Sequence, residues 1–372
     1  MVTSMDRPQT PLVLLGNPPT AEMRQDIAEG RAPRLEHLEL AAALQAEVIS
    51  AADGDAKFKG LVGSLTRRDK LLSASLAAYA RRSDFSSIYV TGEDIGLRIA
   101  PFLRLNGWRG RLVVVVHACT SALRKAYFRA LGPDSFHALI CVCEAQRRIL
   151  VDELGFPPDK VKFCPNWVDT DFFAPESGRT AAQGDYVFSC GRENRDYATL
   201  FAAAERLPYA FKVAASGFRH DGGGLGAAPA NLALFDQRIS FEELRKTYAD
   251  CRLVVAPLHA VPYAAGVTGV VEAMAMGKAV IATASPGIVD YVEDGVSGRV
   301  TPPGDPEALA QAIAELWNDP DRCEAIGRRN RAWVQANASV HGYVQKIAKL
   351  MSPQSAAISV PANAAAASSV VC

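Results

Sequence analysis

Short apolar runs alternate with longer amphipathic stretches along the first half of the chain. "PLVLL" (11–15) predicts a buried strand, and "LEHLELAAALQ" predicts a helix leading into a strand at "AEVIS" (46–50). "LLSASLAAYARR" reads as a helix before the strand "SSIYV" (86–90), and "IGLRIAPFLRLNG" as a helix closing on Gly107. "RLVVVV" (111–116) is a continuous β-branched run, the pattern of a strand covered on both faces. The helix "ALRKAYFRALG", the strand "HALICVC", the helix "EAQRRILVDELG" and the strand "VKFCP" complete the series. Strand–helix alternation of this kind predicts an α/β, doubly wound parallel sheet.

The rhythm breaks at "NWVDTDFFAPESGRTAAQGD" (166–185), whose Pro, Gly and polar residues predict a linker at 174–185. The same grammar then restarts. "YVFSCG", "AFKVAAS", "RLVVAPL", "AVIATAS" and "SGRVTPP" read as strands; "DYATLFAAAERL", "FEELRKTYAD" and a short "GIVDYVED" read as helices. "DPEALAQAIAELWND" is a helix with Asp305 as N-cap, Pro306 in its first turn and Leu309, Ile313, Leu316 and Trp317 on one face. A last long helix is expected over 321–351, before a low-complexity Ala/Ser tail at 352–372 that is expected to be disordered. The division is therefore residues 1–173, linker 174–185, second domain 186–330, a C-terminal helix at 331–351 and the tail. Ligands of open α/β sheets bind outside the carboxyl ends of the strands, which places the site in a cleft between the domains.

A chain of 372 residues suits about two domains. Lys plus Arg equals Asp plus Glu, 40 each, so no overall basic field points to nucleic acid. The densest basic clusters, "TRRDK" (66–70) and "GRRNR" (327–331), read as solvated helix faces. Eight cysteines are scattered with no zinc spacing and several inside strand-like runs, which suggests a reducing, cytoplasmic setting. No secretory signal core and no bilayer-length apolar run is legible, and peripheral contact with the inner membrane face stays open.

One stretch, "AAGVTGVVEAMAMGKAVIATASPG" (264–287), is almost wholly small and apolar yet carries Glu272. Burying an unpaired charge costs roughly several kcal/mol. Gly266 and Gly269 let backbone approach a ligand, and a helix start near Thr268 or Gly269 would put Glu272 in or near its first turn, where the dipole favours a carboxylate. In "SCGRENRDYATL" (189–200), Gly191 turns the chain after a strand, and Arg192 and Arg195 follow. His117 ends the strand "RLVVVVH" at the cleft, and Glu93 and Asp94 in "VTGEDIG" follow another strand end. The glycine-rich "HDGGGLGAAPAN" (220–231) is followed by no helix pattern, so it reads as a surface loop rather than a dinucleotide fingerprint.

"GVVEAMAMGKAVIATASPGIVDYVEDGVSGRVTPPGDPEALAQAI" resembles the donor-binding segment of family 4 glycosyltransferases (glycosyl transferases group 1), and the resemblance extends more weakly over 85–350. "PNWVDTDFF" (165–173) resembles the family's segment before the linker. The resemblance implies the GT-B fold, with two Rossmann-like domains facing a cleft and a C-terminal helix crossing back to the first. It implies retaining, metal-independent transfer from a nucleoside diphosphate sugar to a hydroxyl acceptor, as in polysaccharide biosynthesis, with no cofactor. Glu272 would meet the ribose hydroxyls, and Gly191, Gly266, Thr268 and Gly269, with Ser285 and Gly287 along a wall, would complete the donor pocket. Arg192 and Arg195 would hold the diphosphate, His117 would lie near the transferred sugar, and Glu93 and Asp94 would face the acceptor.

Ala264 stands where the family usually has a second glutamate, so backbone amides and Thr268 are the alternatives for holding the sugar. The tripeptide Asp169-Thr170-Asp171 is a DxD, but its interdomain position speaks against a metal role. A nucleotide-sugar 2-epimerase of similar fold and a catalytically inactive nucleotide-sugar-binding protein are the rival readings.

Overall fold

A computed structural model describes residues 9–55, 68–175, 178, 183–215, 227–235 and 237–352. Residues 66–67 of the first basic cluster, half of the expected linker, the glycine-rich 220–226 and the tail from 353 lie outside the described residues. The first unit holds β1 (Thr10–Leu14), α1 (Ala21–Ala28), α2 (Glu36–Leu44), β2 (Glu47–Ile49), α3 (Ala51–Asp55) and α4 (Lys70–Ala80). It continues with β3 (Phe85–Val90), α5 (Glu93–Leu105), β4 (Arg111–Val116), α6 (Ala122–Leu131), β5 (Ala138–Cys141), α7 (Glu144–Arg148) and β6 (Val161–Phe163). Its six strands are all parallel, in the order β2-β1-β3-β4-β5-β6.

The second unit holds β7 (Tyr186–Cys190), α8 (Tyr197–Ala204), β8 (Ala210–Ala214), β9 (Leu232–Phe235), α9 (Phe241–Asp250) and β10 (Leu253–Ala256). It goes on to α10 (Val267–Ala275), β11 (Ala279–Thr283), β12 (Gly298–Thr301), α11 (Pro306–Trp317), α12 (Pro320–Asn337) and α13 (Val340–Met351). Its strands are also parallel, in the order β12-β11-β10-β7-β8-β9. The expected pair of doubly wound domains is thus present. The continuous β-branched run Leu112–Val116 is buried throughout, as its pattern requires of a central strand. Asp305 caps α11 by accepting from the Glu307 and Ala308 amides at 3.1 and 2.9 Å.

Three local expectations change. The strand β9 has no counterpart in the reading; it is four residues long and follows the glycine-rich run, too short for periodicity to register. "GIVDYVED" forms turns rather than a helix, and it buries Ile288, Tyr291 and Val292. The long terminal helix breaks between α12 and α13. There Val168 pairs with the chain on both sides of Ser339: its amide donates to Ala338 O at 2.8 Å, and its carbonyl accepts from Val340 N at 2.9 Å. Ser339 caps the new helix by accepting from Gly342 N at 3.2 Å.

Beyond that break α13 belongs to the first unit. Its Val340, Tyr343, Val344, Ile347, Ala348 and Met351 pack into a core with Val13, Tyr89 and Val113. The two chain crossings between units therefore run side by side and are hydrogen-bonded at Val168. Further ties hold this junction. Arg331, read as part of a solvated face, turns inward and donates to the carbonyls of Thr170, Phe173 and Ala275 at 2.7–2.8 Å. Asn330 is fully buried and donates to Lys278 O and Ser297 O. "GRRNR" is thus in part a strap across the second unit, because its last two residues fall on the buried side of α12.

Asp169 is the most heavily bonded carboxylate of the crossing. It accepts from the Arg34 amide (2.8 Å), Nε (3.0 Å) and Nη2 (2.7 Å), and from the Asp171 and Phe172 amides. Burial pushes its pKa up, but the hydrogen bonds from Arg34 outweigh that and leave it below the usual carboxylate value. Its stabilisation is present above the unfolded-state pKa and is lost as pH falls through the lowered one. Asp169→Asn should destabilise the protein by about 3 kcal/mol. The exposed Asp171→Asn should change stability by less than about 1 kcal/mol. Urea unfolding of both variants at neutral pH checks the difference.

Candidate functional site

The loop after β7 is shaped around one side chain. Gly191 (φ +108°) and Asn194 (φ +51°) turn the chain back on itself. Arg195 then pairs with Leu258 in an antiparallel bridge, flanked by Asp196 N to Pro257 O and His259 N to Asn194 O, each 3.0 Å. This pairing aims Arg195 inward, where it is 5% exposed. Its Nε donates to Cys190 O at 2.9 Å and its Nη1 to Glu193 O at 3.4 Å. A Cβ on Gly191 or Gly266 would collide with the guanidinium, and both glycines have positive φ. Tyr197 braces the turn by donating its hydroxyl to Gly191 O at 2.6 Å. Arg195 makes no ion pair with a described carboxylate; carbonyl dipoles hold it. Arg192 is exposed nearby and makes no hydrogen bond or ion pair with a described residue.

Cys190, Gly191, Arg192 and Arg195 line one side of a cavity of about 340 Å³, and Gly266, Thr268, Gly269 and Glu272 line another. Both arginines and five of the predicted donor-side residues thus converge on one space. Helix α10 begins at Val267 with Gly266 as a left-handed N-cap, so Glu272 sits in the second turn, not the first. The helix dipole is therefore not what accommodates it. Glu272 Oε2 accepts from the hydroxyl of Tyr248 at 3.1 Å, and Tyr248 also contacts Gly269 O and Cys190 Sγ. Desolvation is the dominant influence and pushes Glu272 up to about 7, while the Tyr248 hydroxyl and the Arg195 charge pull it down. A carboxyl so poised gains from any ligand that donates hydrogen bonds to it.

Tyr248 was not singled out by the sequence, although Phe241, Leu244 and Tyr248 share one face of α9 at helical spacing. Its ring packs edge-on to Phe188 and Phe173, fixing the hydroxyl beneath Glu272.

A second cavity, of about 440 Å³, lies between the units and meets the first at Glu193, Gly266 and Thr268. His117, Glu93, Asp94 and Ala264 line it. The His117 ring donates from Nε2 to Thr91 O at 3.0 Å, since a carbonyl can only accept. Glu93 is only 3% exposed and accepts from the His117 and Ala118 amides at 2.8 and 3.2 Å. It shapes the His117 turn rather than presenting a free carboxylate. Asp94 is exposed and pairs with Arg124 at 2.9 Å. Thr268 accepts from Asn166 Nδ2 at 3.1 Å, so this donor-side residue also touches the crossing. Glu193, missed in the sequence, is an exposed carboxylate with no ion pair to a described residue, common to both cavities.

Two expected residues stand elsewhere. Ser285 is buried and donates to Val261 O at 3.1 Å, and Gly287 packs directly against Ala264. Neither lines either of these two cavities; through Val261 and Ala264 they buttress the loop before α10. Both carboxylates of the DxD tripeptide engage Arg34. Among the described residues no cluster of three potential metal ligands occurs.

The sequence profile described as Glycosyltransferase Family 4 matches residues 39–172, and that of Glycosyl transferases group 1 matches 226–319. Sucrose-phosphate synthase from Thermosynechococcus elongatus has a similar structure, at 18% identity, covering 92% of this chain and 98% of its own with a TM-score of 0.68. Anabaena HepE, solved with UDP and glucose, is 19% identical over 93% of this chain and 100% of its own, with a TM-score of 0.67. A glycosyltransferase from Rickettsia africae is 15% identical over 92% and 97%, with a TM-score of 0.66. No curated protein sequence matches significantly. The two facing sheets and the returning α13 define the GT-B fold. With both profiles matched in order, the chain belongs to the family 4, group 1 glycosyltransferases.

The Tyr248 hydroxyl stabilises the charged form of Glu272, so Tyr248→Phe should move the Glu272 titration above about 7. Difference infrared spectroscopy of the carboxyl band, with Glu272→Gln as the reference, reads the midpoint.

Proposed function

We propose that this glycosyltransferase moves a sugar, with retention of anomeric configuration, from a nucleoside diphosphate sugar to a hydroxyl acceptor. The observation that carries this reading is the buried Arg195 guanidinium, which pairs with no described carboxylate and faces the same cavity as Glu272. The solved complex of HepE with UDP and glucose is consistent with it. In this reading the diphosphate lies against Arg195 and Arg192, and the ribose hydroxyls donate to Glu272. The sugar then sits at the junction of the cavities, where Glu193 and Thr268 offer polar groups in place of the side chain that Ala264 lacks.

The acceptor hydroxyl enters from the His117 side. Its oxygen forms the new bond to the anomeric carbon on the face from which the phosphate oxygen departs. The bond to phosphate breaks, and the hydroxyl proton passes to that departing oxygen. Arg195 matters most here because charge grows on the phosphate as the bond breaks. Epimerisation would instead need an acid and a base in the cleft, where Glu93 and Asp94 are already engaged; isomerisation of the donor with no acceptor present would favour that reading. The acceptor side of the cleft offers a saccharide, lipid-linked saccharide or other glycoconjugate as candidates. We place the reaction in the cytoplasm. Among the described residues no helix is long and apolar enough to cross a membrane.

UDP, GDP, ADP and their sugars should be screened by thermal shift, followed by turnover with NMR assignment of the product anomer. One nucleotide should raise the Tm, and Arg195→Ala should lower kcat about a hundredfold or more. Gly266→Ala should abolish the shift, whereas Gly295→Ala, with the same φ of +75° but open space around it, should keep it. No shift with any nucleotide refutes the donor site.

Donor binding uses the ionised carboxylate of Glu272, whose pKa in the empty cavity is pushed up to about 7. The apparent Kd for the nucleotide sugar should therefore fall about tenfold between pH 6 and pH 8. Glu272→Gln should flatten that dependence, as calorimetry at the two pH values will read.

A further inference from the structure

Helix α6 turns an apolar stripe to solvent. Leu123, Ala126, Tyr127 and Ala130 follow at i, i+3, i+4 and i+7, and all are exposed, Leu123 at 67% and Tyr127 at 52%. The opposite face already buries Phe128 and Leu131 in the core. A surface helix ordinarily carries polar residues at the outer positions, so this one has two apolar faces. The outer stripe meets Leu97, Pro101 and Phe102 of α5 across a groove of about 560 Å³.

That groove opens onto the cleft. Asp94 and Arg124 line both spaces, and their 2.9 Å ion pair forms the saddle between them. The charges in the groove are neutralised: Arg124 by Asp94, and Arg98 by Asp69 at 3.0 Å. Among the described residues the groove therefore offers apolar surface without a free cation for a phosphate or an acidic peptide.

We propose that the acceptor is amphipathic. Its hydroxyl-bearing head occupies the cleft beside His117, and an alkyl or aryl group attached to that head crosses the Asp94–Arg124 saddle into the α5–α6 groove. The proposal rests on the transferase reading and narrows its acceptor. Burial of several methylenes in the groove would lower the acceptor KM at constant head group.

Saturation-transfer NMR on the intact chain tests occupancy without turnover. With n-octyl glucoside below its micellar concentration, the alkyl protons should be saturated. Leu123→Asp and Tyr127→Ser, both at exposed positions, should remove that signal while far-UV circular dichroism and Tm hold. In turnover, octyl glycosides of glucose, galactose and mannose should show a KM at least about tenfold below their methyl counterparts. The same variants should erase the difference yet leave methyl-glycoside KM and acceptor-free donor hydrolysis unchanged. Unsaturated alkyl protons, or equal effects on octyl and methyl acceptors, would overturn the proposal. So would variants that lose binding to phosphatidylethanolamine–phosphatidylglycerol vesicles while keeping the octyl preference, since the groove would then serve a bilayer surface. Nucleotide thermal shifts and donor hydrolysis report on the donor site independently, so a failure there is distinguishable.

Discussion

A buried guanidinium held by backbone carbonyls organises this protein's donor-side cavity. Arg195 is held by two carbonyls, with glycine on both sides because no Cβ fits against its nitrogens. A salt bridge would have satisfied the same charge and cancelled it. Carbonyl dipoles satisfy it locally while leaving its field directed into the cavity, where an anion can use it. Glu272 lies in that field but is not bonded to the guanidinium. Its hydrogen bond goes to Tyr248, whose ring is pinned by Phe188 and by Phe173 of the crossing segment. Arg195 and Glu272 are thus kept apart, each available to a different part of a ligand.

The same aromatic packing ties the cavity to the junction between the units. Phe173 follows directly on the segment that Asp169, Arg34, Arg331 and Val168 bind together. Tyr291 adds a clasp: its hydroxyl donates to Val142 O at 2.6 Å and accepts from Asn166 N at 2.8 Å. Most of these bonds involve backbone atoms, which fix position independently of side-chain rotamer. The cleft is consequently bounded by two rigid sheets whose mutual placement is set by a narrow, heavily hydrogen-bonded seam.

Much of this was readable in the sequence. Buried parallel strands declare themselves as unbroken β-branched runs; Gly191, Arg192 and Arg195 were marked by following a strand end, and Gly266 and Glu272 by a glycine-led helix start with one carboxylate in an apolar stretch. Where the reading missed, the cause was a contact distant in sequence. Nothing local separates Arg195 from Arg192; burial of one and exposure of the other depends on pairing with Leu258. Ser285 and Gly287 resemble pocket residues until Ala264 and Val261 are seen to lie against them. The helix expected over 321–351 has no proline or glycine to stop it at Ala338, and only Val168 from the first crossing explains the break.

The sequence by itself determined the two doubly wound domains and the family, because strand period, helix caps and the motif around Glu272 are short-range properties. Tertiary structure decided which charges are free. Glu93 became a bracket for His117, the DxD carboxylates were taken by Arg34, and Arg195 and Glu193 remained without ion pairs beside a shared space. Whether a charged side chain can act on a ligand depends on what else reaches it in three dimensions. Partners more than a hundred residues away, such as Arg34 and Asp169, leave no trace in local pattern.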